Sequence, residues 1–356
     1  MESEDALLAV KRLGQWLQSL SYIRLILFIY TILIVKIGVS PIGKPFVGWL
    51  RDTALHFPAA TTYLIASPGP IFLMRMLGYP STAVWWGIGF VLYLNWIVIT
   101  IVLIRRRFGA NAKLNVILFL MSSPVACSMT MIGHIDIWNL TGASIAVLGR
   151  FRGSILLGAA IAAAGNIELN LATTALILIL SLANVGRSRV TAQTWLPISL
   201  IAYITLHLIG KVSQSENVGS IVLHGMKSAL FNSLGILPLH IYALYGVLWI
   251  PIILVAINRE SKYRTFAMSL SLLFVPFLLS TLILDGTRVG ITASFVCFLL
   301  TLTDSTIQKR LKLFVSETHL GLLFLGFVII PTLIVDDNGI LRLPYKKILQ
   351  AAHLIS

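Results

Sequence analysis

Charged residues are scarce in this chain of 356 residues: they make up 11% of it, while 57% of the residues are hydrophobic. The mean hydropathy is +0.91. Soluble globular domains carry about 25% charged residues, so the composition excludes that class and predicts a polytopic membrane protein. Because an open sheet cannot satisfy its backbone groups in lipid, we expect an all-α bundle, with residues 1–356 forming a single transmembrane domain.

Several chemical signatures are also missing. The two cysteines, Cys127 and Cys297, lie in apolar runs without a paired or metal-ligating pattern, so we expect them to be inert. No Walker motif, dinucleotide fingerprint or HExxH sequence occurs, which leaves ATP-driven transport and metalloprotease chemistry without support. Acids precede the first apolar run and no small-residue cleavage site follows it, so a cleavable signal peptide is not expected.

The net charge of +14 reflects membrane topology more than a nucleic-acid partner, because most Lys and Arg residues lie in short loops between apolar runs. About eleven spans are predicted. If the N-terminus is cytoplasmic, every strongly basic short loop falls on the cytoplasmic face. Two of the spans are short and could instead form one broken hairpin or tilted helices. The spans cover roughly residues 22–39, 81–104, 114–132, 136–149, 153–167, 169–184, 194–210, 240–257, 265–284, 289–303 and 317–335.

This topology places two long loops and a tail on the outer face. The first outer loop covers residues 40–80, the second covers residues 211–239, and residues 336–356 form an external C-terminal tail. The first loop contains "ASPGPIFLMRMLG", an apolar stretch interrupted by Arg75 and too short to cross a membrane. Such a stretch predicts interfacial helices on the outer membrane surface.

Ionisable residues at the predicted outer span ends are functional candidates, because charge is costly there. His134 and Asp136 lie in "IGHIDIWN" between two spans, and Asp285 and Arg288 lie in "LILDGTRVG". If helix continues through Asp285 and Arg288 they share a face and can pair, and if Gly286 breaks it they form a turn. The planar fork of an arginine suits phosphate oxygens better than a lysine does.

These features suit a transferase that takes a sugar from a polyprenyl-phosphate donor at the membrane interface. The leaving phosphate needs a cation, and the attacking hydroxyl needs a carboxylate within hydrogen-bond reach. An outer cavity could supply both with Asp52, His56, His134, Asp136 and Arg288.

The order of features resembles the GT-C glycosyltransferases, the membrane family that uses polyprenyl- or dolichyl-phosphate sugars. "ASPGPIFLMRMLG", residues 66–78, is similar to the proline-containing start of the second interfacial helix of that family. "GHIDIWNLTGASIAVLGRFRGSILLGAAIAAAGNIE" resembles its turn between the third and fourth spans, with the basic inner loop and small-residue helix that follow. The resemblance covers the first half of the chain by motif and the second half by span pattern only.

The resemblance implies that Asp52, the one acid between the first two spans, is the general base and that Arg288 holds the donor phosphate. Asp136 and His134 are further catalytic candidates. The predicted substrate-binding set also contains Asp285, His56, Lys44 and Glu168. Many members carry paired acids in the first loop, and Lys then Pro after the "AAA" run, where this chain has "RDT" alone and Asn166 with Glu168. Donor type and metal use are thereby left open: no cofactor is certain, and a divalent cation is one alternative.

The expected partners are the lipid-linked sugar donor, a glycan or lipid acceptor, and membrane lipids. Two other classes stay open, a polymerase or ligase of lipid-linked saccharides and a lipid or solute transporter. Each residue also has a simpler interpretation. Asp52 could pair with Arg51 or Lys44, His134 and Asp136 could cap their turn, Arg288 could reach lipid headgroups, and Glu168 could simply end a span.

The topology predicts opposite locations for two positions. A reporter fused at Arg106 should be cytoplasmic, and one fused at Lys346 should be external, because an odd number of spans separates the two chain ends. Alkaline phosphatase and fluorescent-protein fusions measure this directly. Finding both positions on one side would overturn the span assignment.

Overall fold

The computed structural model describes residues 2–58, 63–213, 242–256, 262–282 and 286–330. Within these ranges the regular structure is helical, and the one β contact is an isolated bridge between Pro41 and Ile132. The prediction of an all-α fold is therefore confirmed. Asp285, residues 214–239 of the second predicted outer loop and the predicted tail at 336–356 lie outside the described residues.

The helices follow one another with short connections. In chain order they are α1 (Glu2–Ser19), α2 (Tyr22–Ile37), α3 (Lys44–His56), α4 (Pro68–Met76), α5 (Thr82–Phe108), α6 (Ala112–Leu120), α7 (Ser123–Met129), α8 (Asp136–Leu148), α9 (Arg152–Gly165), α10 (Ile167–Leu182), α11 (Ser188–Ser213), α12 (Trp249–Ala256), α13 (Lys262–Ser269), α14 (Val275–Leu282), α15 (Gly286–Leu302), α16 (Ser305–Phe314) and α17 (Glu317–Ile329). A π-helical segment, Leu270–Phe274, joins α13 to α14.

Each predicted span contains helix in the part that the structure describes, but the lengths differ. One predicted span is broken into α6 and α7, where Pro124 occupies the first turn of α7 and has no N–H to continue the preceding helix. Among the described residues, the stretch Thr82–Leu120 is long and apolar enough by itself to cross a membrane. The pair Arg288–Leu302 and Ser305–Phe314, bent by 89°, would be a second such segment if counted as one span. Eleven spans therefore remain a prediction.

Several basic loops meet at one end of the bundle, which we call the basic end. The Arg150 guanidinium donates to the carbonyl of Arg106, and Arg187 donates to the carbonyls of Gly149 and Arg150. Burial lowers the pKa of Arg187 from its usual value, although an arginine stays charged in any case. These contacts bring together the loops that follow α5, α8 and α10.

Two later loops join the same basic end. The carboxylate of Asp304 accepts hydrogen bonds from the backbone N–H of Gly186, at 2.9 Å, and from Arg264. The side-chain amides of Asn115 and Gln308 bond to each other, at 3.1 and 3.3 Å. The basic end therefore gathers loops from both halves of the chain.

The other termini of α5, α8 and α15 meet at the opposite end. The indole N–H of Trp85, near the start of α5, donates to the carbonyl of Gly133 at 3.0 Å, just before α8. Arg288, near the start of α15, contacts Asp136 at the start of α8. The connection between α2 and α3 lies here too, because the Ile42 N–H donates to the Ile132 carbonyl at 2.9 Å.

Helices α3 and α4 cover this opposite end and pack on a small apolar cluster of their own. One face of α3 is buried and the other is exposed, so this helix is amphipathic. The cluster contains Phe46, Val47, Leu50, Ala54, Leu64, Ile71, Met74, Trp85 and Ile135.

Helix α1 precedes the first predicted span and was not predicted. It packs along α17 in the antiparallel direction, since Gly14 meets the backbone of Glu317 and Gly321 meets the backbone of Val10. A hydrogen bond of 2.7 Å from Gln15 to Glu317 adds to this contact. The two glycines let the helix backbones approach closely, as small residues do between membrane helices.

Helices α8 and α9 form the closest hairpin of the bundle. A Cβ on Gly158 would lie 2.4 Å from the carbonyl oxygen of Gly142, and one on Gly142 would lie 2.3 Å from the carbonyl oxygen of Gly158. Backbone therefore packs on backbone, and this contact fixes the orientation in which α8 presents Asp136.

Replacing Gly158 by alanine should separate this hairpin and destabilise the fold by about 1–3 kcal/mol, because no flexible side chain can yield there. Gly153→Ala in the same helix is the matched control, since a Cβ at Gly153 meets nothing within 4 Å. Thermal denaturation of the purified protein compares the two. Equal melting temperatures would show that the α8–α9 contact tolerates a methyl group.

Candidate functional site

A small cavity lies where α5, α7, α8 and α15 converge beneath α3. His134 and Asp136, from the turn before α8, and Arg288 of α15 contribute to its polar lining. The lining includes Gly89, Tyr93, Ser128, Gly133, His134, Asp136, Arg288 and Thr292.

A buried ion pair between α8 and α15 forms the polar centre of the cavity. The Arg288 Nη1 donates to Oδ2 of Asp136, and the two side chains are 12% and 7% exposed. The residues lie 152 positions apart in the chain. Charges this deep in apolar surroundings are retained only when they are paired. The pair therefore holds α15 against the start of α8.

His134 is the third member of this centre. Its Nδ1 accepts a hydrogen bond from the backbone N–H of Asp136 at 3.3 Å and lies 3.3 Å from Arg288 Nη1. Because two donors converge on Nδ1, we infer the tautomer that carries its proton on Nε2. The ring of Phe46, from α3, lies 4.8 Å from the imidazole ring and covers it.

The second carboxylate oxygen of Asp136 is left without a partner. Oδ1 is buried and accepts no hydrogen bond from any described residue, and Asp136 is 5% exposed as a whole. An ionised carboxylate buried without a full set of donors is costly, so such an atom in a cavity indicates a place for a ligand or a water.

Glycines and an asparagine fix the backbone around this turn. Gly133 has a φ of +93°, which favours glycine, and a Cβ on Gly89 would lie 2.3 Å from the Cα of Gly133. Asn139, one turn after Asp136, donates to the carbonyls of Ala162 and Asn166 at 3.0 and 3.3 Å. The start of α8 is thus tied to α5 on one side and to the end of α9 on the other.

The three residues of α3 that the sequence predicts as site residues lie outside this cavity. Asp52 and His56 are on the exposed face of the helix, with side chains 62% and 64% exposed, and they pair with each other at 3.1 Å. Lys44 is exposed at the first position of α3. The alternative pairing of Asp52 with Arg51 is wrong, because Arg51 donates to the carbonyl of Pro80 at 2.6 Å.

Glu168 is exposed in the first turn of α10 and does not line the cavity. Asp285, the expected partner of Arg288, lies outside the described residues. In the described part of the chain, no group of three or more His, Cys, Asp and Glu side chains could hold a metal ion. A divalent cation stays one alternative of the sequence prediction.

Thr292, Tyr93 and Gly89 are among the lining residues that the sequence analysis does not identify. Thr292 follows Arg288 by one helical turn and donates to its carbonyl at 2.9 Å, a spacing that could have indicated a shared face. Tyr93 accepts a hydrogen bond of 2.8 Å from Tyr30 and faces the cavity from α5. Gly89, in "WWGIGF", is a small residue in an apolar run, a signal for close helix contact.

Comparison of the chain with protein-family models, with curated proteins and with solved structures finds no match.

Proposed function

We propose that the chain is a multi-pass integral membrane protein, with its basic end in the cytoplasm and its cavity toward the outer face of the cell membrane. Two observations support this. Each predicted span contains helix in its described part, and the basic loops collect at one end of the bundle. Segregation of Arg and Lys to one end is the pattern that orients membrane proteins.

Within that class, we propose a glycosyltransferase that moves a sugar from a polyprenyl-phosphate donor to a glycan or lipid acceptor. One observation carries this proposal: the buried, unpartnered Oδ1 of Asp136 lies in a cavity that also contains Arg288 and His134. Such a site offers a proton acceptor and a cation within one small volume. The resemblance to the GT-C family supports the same reaction.

In this reaction Asp136 is the general base. As the acceptor hydroxyl gives its proton to Oδ1, its oxygen forms a bond to the anomeric carbon and the bond from that carbon to the donor phosphate breaks. The polyprenyl phosphate leaves with the bonding electron pair and one more negative charge. The proposal is a single displacement, so one carboxylate suffices.

Arg288 stabilises the charge that develops on the leaving phosphate. A guanidinium carries five N–H donors in a planar fork, so it can hold a carboxylate oxygen and a phosphate oxygen together. His134 orients the pair, since its Nδ1 accepts from the backbone N–H of Asp136 and lies 3.3 Å from Nη1 of Arg288. The apolar walls make this electrostatic stabilisation stronger than it would be in water.

The depth of the cavity fits a lipid-linked donor. Gly89 lines it seven positions after Thr82, where α5 begins, so the cavity lies about 10 Å below that end of α5. Helices α3 and α4 cover it from the outer side, and α3 contributes Phe46 over His134. A donor headgroup held there leaves its isoprenoid tail at the depth of the lipid chains, and water is excluded from the reaction.

Replacing one carboxylate oxygen of Asp136 by an amide nitrogen should show whether Asp136 or Asp52 is the general base. Asp136→Asn keeps the shape but cannot accept the proton, so transfer should fall about 10²-fold or more. Asp52→Asn is the matched control, because the same exchange on the exposed face of α3 should leave most of the activity. The measurement uses purified protein, a panel of radiolabelled polyprenyl-phosphate sugars, and detection of donor hydrolysis or sugar transfer.

A loss confined to Asp52→Asn would return the base role to Asp52, as the sequence predicts. Melting temperatures of both variants show whether a loss of activity reflects a loss of folding. Failure of the folded wild-type protein to bind or turn over any donor in the panel would contradict the glycosyltransferase proposal and favour transport.

Arg288→Lys should not be a conservative change. Lysine keeps the charge but loses the two-pronged fit to phosphate oxygens, so donor binding and turnover together should weaken by about 2–4 kcal/mol. Steady-state kinetics of the wild-type protein and the variant, with the donor that the wild-type protein uses, measure the loss of donor binding and turnover. Unchanged kinetics would indicate that Arg288 only reaches toward lipid headgroups, which lysine does equally well.

A further inference from the structure

Three arginines of the basic end lie close together and come from three different parts of the chain. Arg107 is in the last turn of α5, Arg150 lies between α8 and α9, and Arg187 directly precedes α11. These parts are joined through the backbone, since Arg150 donates to the carbonyl of Arg106 and Arg187 donates to the carbonyl of Arg150 at 3.2 Å. We call Arg107, Arg150 and Arg187 the arginine cluster.

The positive charges of the arginine cluster act on one another. Arg150 and Arg187 lie near enough to Arg107 for their charges to act on its guanidinium, and Arg107 is partly buried. An arginine stays protonated in a protein, so the three charges persist and repel one another. Partial burial strengthens this repulsion, because the effective dielectric constant there is lower than in water. A bound anion would therefore stabilise the folded protein at this place.

No carboxylate or aromatic ring offsets these charges in the part of the chain that the structure describes. None of the ion pairs or cation–ring contacts found there includes a residue of the arginine cluster. Asp304 reaches the loop that carries Arg187, because it accepts from the backbone N–H of Gly186, but its side chain pairs with Arg264. The arginine cluster therefore keeps a positive charge that the described residues do not neutralise.

The guanidiniums of the arginine cluster keep most of their hydrogen-bond donors available. Each guanidinium carries five N–H groups. Arg150 donates to one backbone carbonyl and Arg187 donates to two, while Arg107 makes no side-chain hydrogen bond with the described residues. The carbonyls thus orient two guanidiniums, and the third lies near them without an acceptor in the described residues. Several oriented N–H donors on neighbouring guanidiniums suit the oxygens of a phosphate group.

Exposed apolar side chains lie close in the chain to the arginine cluster. Phe151, which follows Arg150, is 79% exposed, and Leu182, at the end of α10 and shortly before Arg187, is 68% exposed. A soluble phosphate compound gains nothing from such side chains. A phospholipid places its phosphate beside the cations and its hydrocarbon beside the apolar groups, and aromatic rings are enriched at that level of a membrane. The arginine cluster also lies at the ends of predicted spans, where headgroups are expected.

We propose that the arginine cluster binds the phosphate group of an anionic phospholipid in the cytoplasmic leaflet. Basic pockets at the cytoplasmic ends of membrane helices bind such headgroups. Because backbone carbonyls already orient Arg150 and Arg187, binding requires little further ordering of these side chains. A zwitterionic phospholipid carries the same phosphate but also a cation, which the third arginine, Arg107, repels. The site requires that the bundle lie in a membrane but does not require glycosyl transfer, so either proposal can fail alone.

Thermal unfolding of the full-length protein in an uncharged detergent tests the proposal with three probes, dioctanoylphosphatidylglycerol, dioctanoylphosphatidylcholine and inorganic phosphate. A compound that binds only the folded state raises the melting temperature as its concentration rises. The anionic lipid should reach a given shift at about one tenth of the concentration that the zwitterionic lipid needs, because hydrogen bonds to charged groups are strong. Inorganic phosphate at the same concentrations should have no effect, since it gains no contact with the apolar side chains.

Two variants of α5 show whether Arg107 gives the site its preference for the anionic lipid. Arg107→Gln removes one charge and no hydrogen bond within the described residues, so the protein should fold and lose most of the roughly tenfold preference. Arg106→Gln is the matched control, because it removes the same charge from an exposed side chain at the preceding position, and adjacent positions of a helix do not face the same way. This variant should keep the preference.

An equal response of the wild-type protein to the two lipids would overturn the proposal. A shift with inorganic phosphate as large as that with the anionic lipid would overturn it too, and would assign the arginine cluster to a soluble phosphate compound. Equal losses of preference in the two variants would show only a general attraction of the basic loops. If Arg107→Gln does not fold, native mass spectrometry of the wild-type protein with an equimolar mixture of the two lipids decides, because equal retention of both would overturn the proposal.

Discussion

The contact between Asp136 and Arg288 constrains the rest of this structure, because neither charge could be buried in an apolar bundle without the other. The pair joins the start of α8 to the start of α15, far apart in the chain. Removing one partner of such a pair typically costs about 3–5 kcal/mol, since it leaves the other charge uncompensated. The glycine contacts of α8, the bond from Trp85 to Gly133 and the cover of α3 all serve to place the pair.

The need to pair buried charges also explains why the ionisable groups of the described residues fall into two regions, the basic end and the opposite end with its cavity. Many of the cations outside the cavity lie in the loops of the basic end, where Arg187 and Asp304 join neighbouring loops. The opposite end instead buries Asp136 and Arg288 beneath α3, while Asp52 and His56 stay exposed on α3 itself.

The candidate site could be predicted from sequence only in part. Charge is so rare in the spans that His134, Asp136 and Arg288 were each identifiable as candidates from their position alone. The contact of Arg288 with Asp136 was not predicted from the sequence, and the predicted partner of Arg288, Asp285, lies outside the described residues. The sequence predicts Asp52 as the base because it is the one acid of its loop, but loop position does not determine which face of α3 is buried.

The sequence by itself determined the helical fold and the approximate place of most of the described helices, because hydrophobic runs and the exclusion of charge are local properties of the chain. It also determined that basic residues would segregate between loops. Only the tertiary structure decided which ionisable groups share a cavity, that α1 packs on α17, and that Oδ1 of Asp136 has no partner among the described residues. These outcomes depend on contacts between residues more than a hundred positions apart, and no local pattern specifies such contacts.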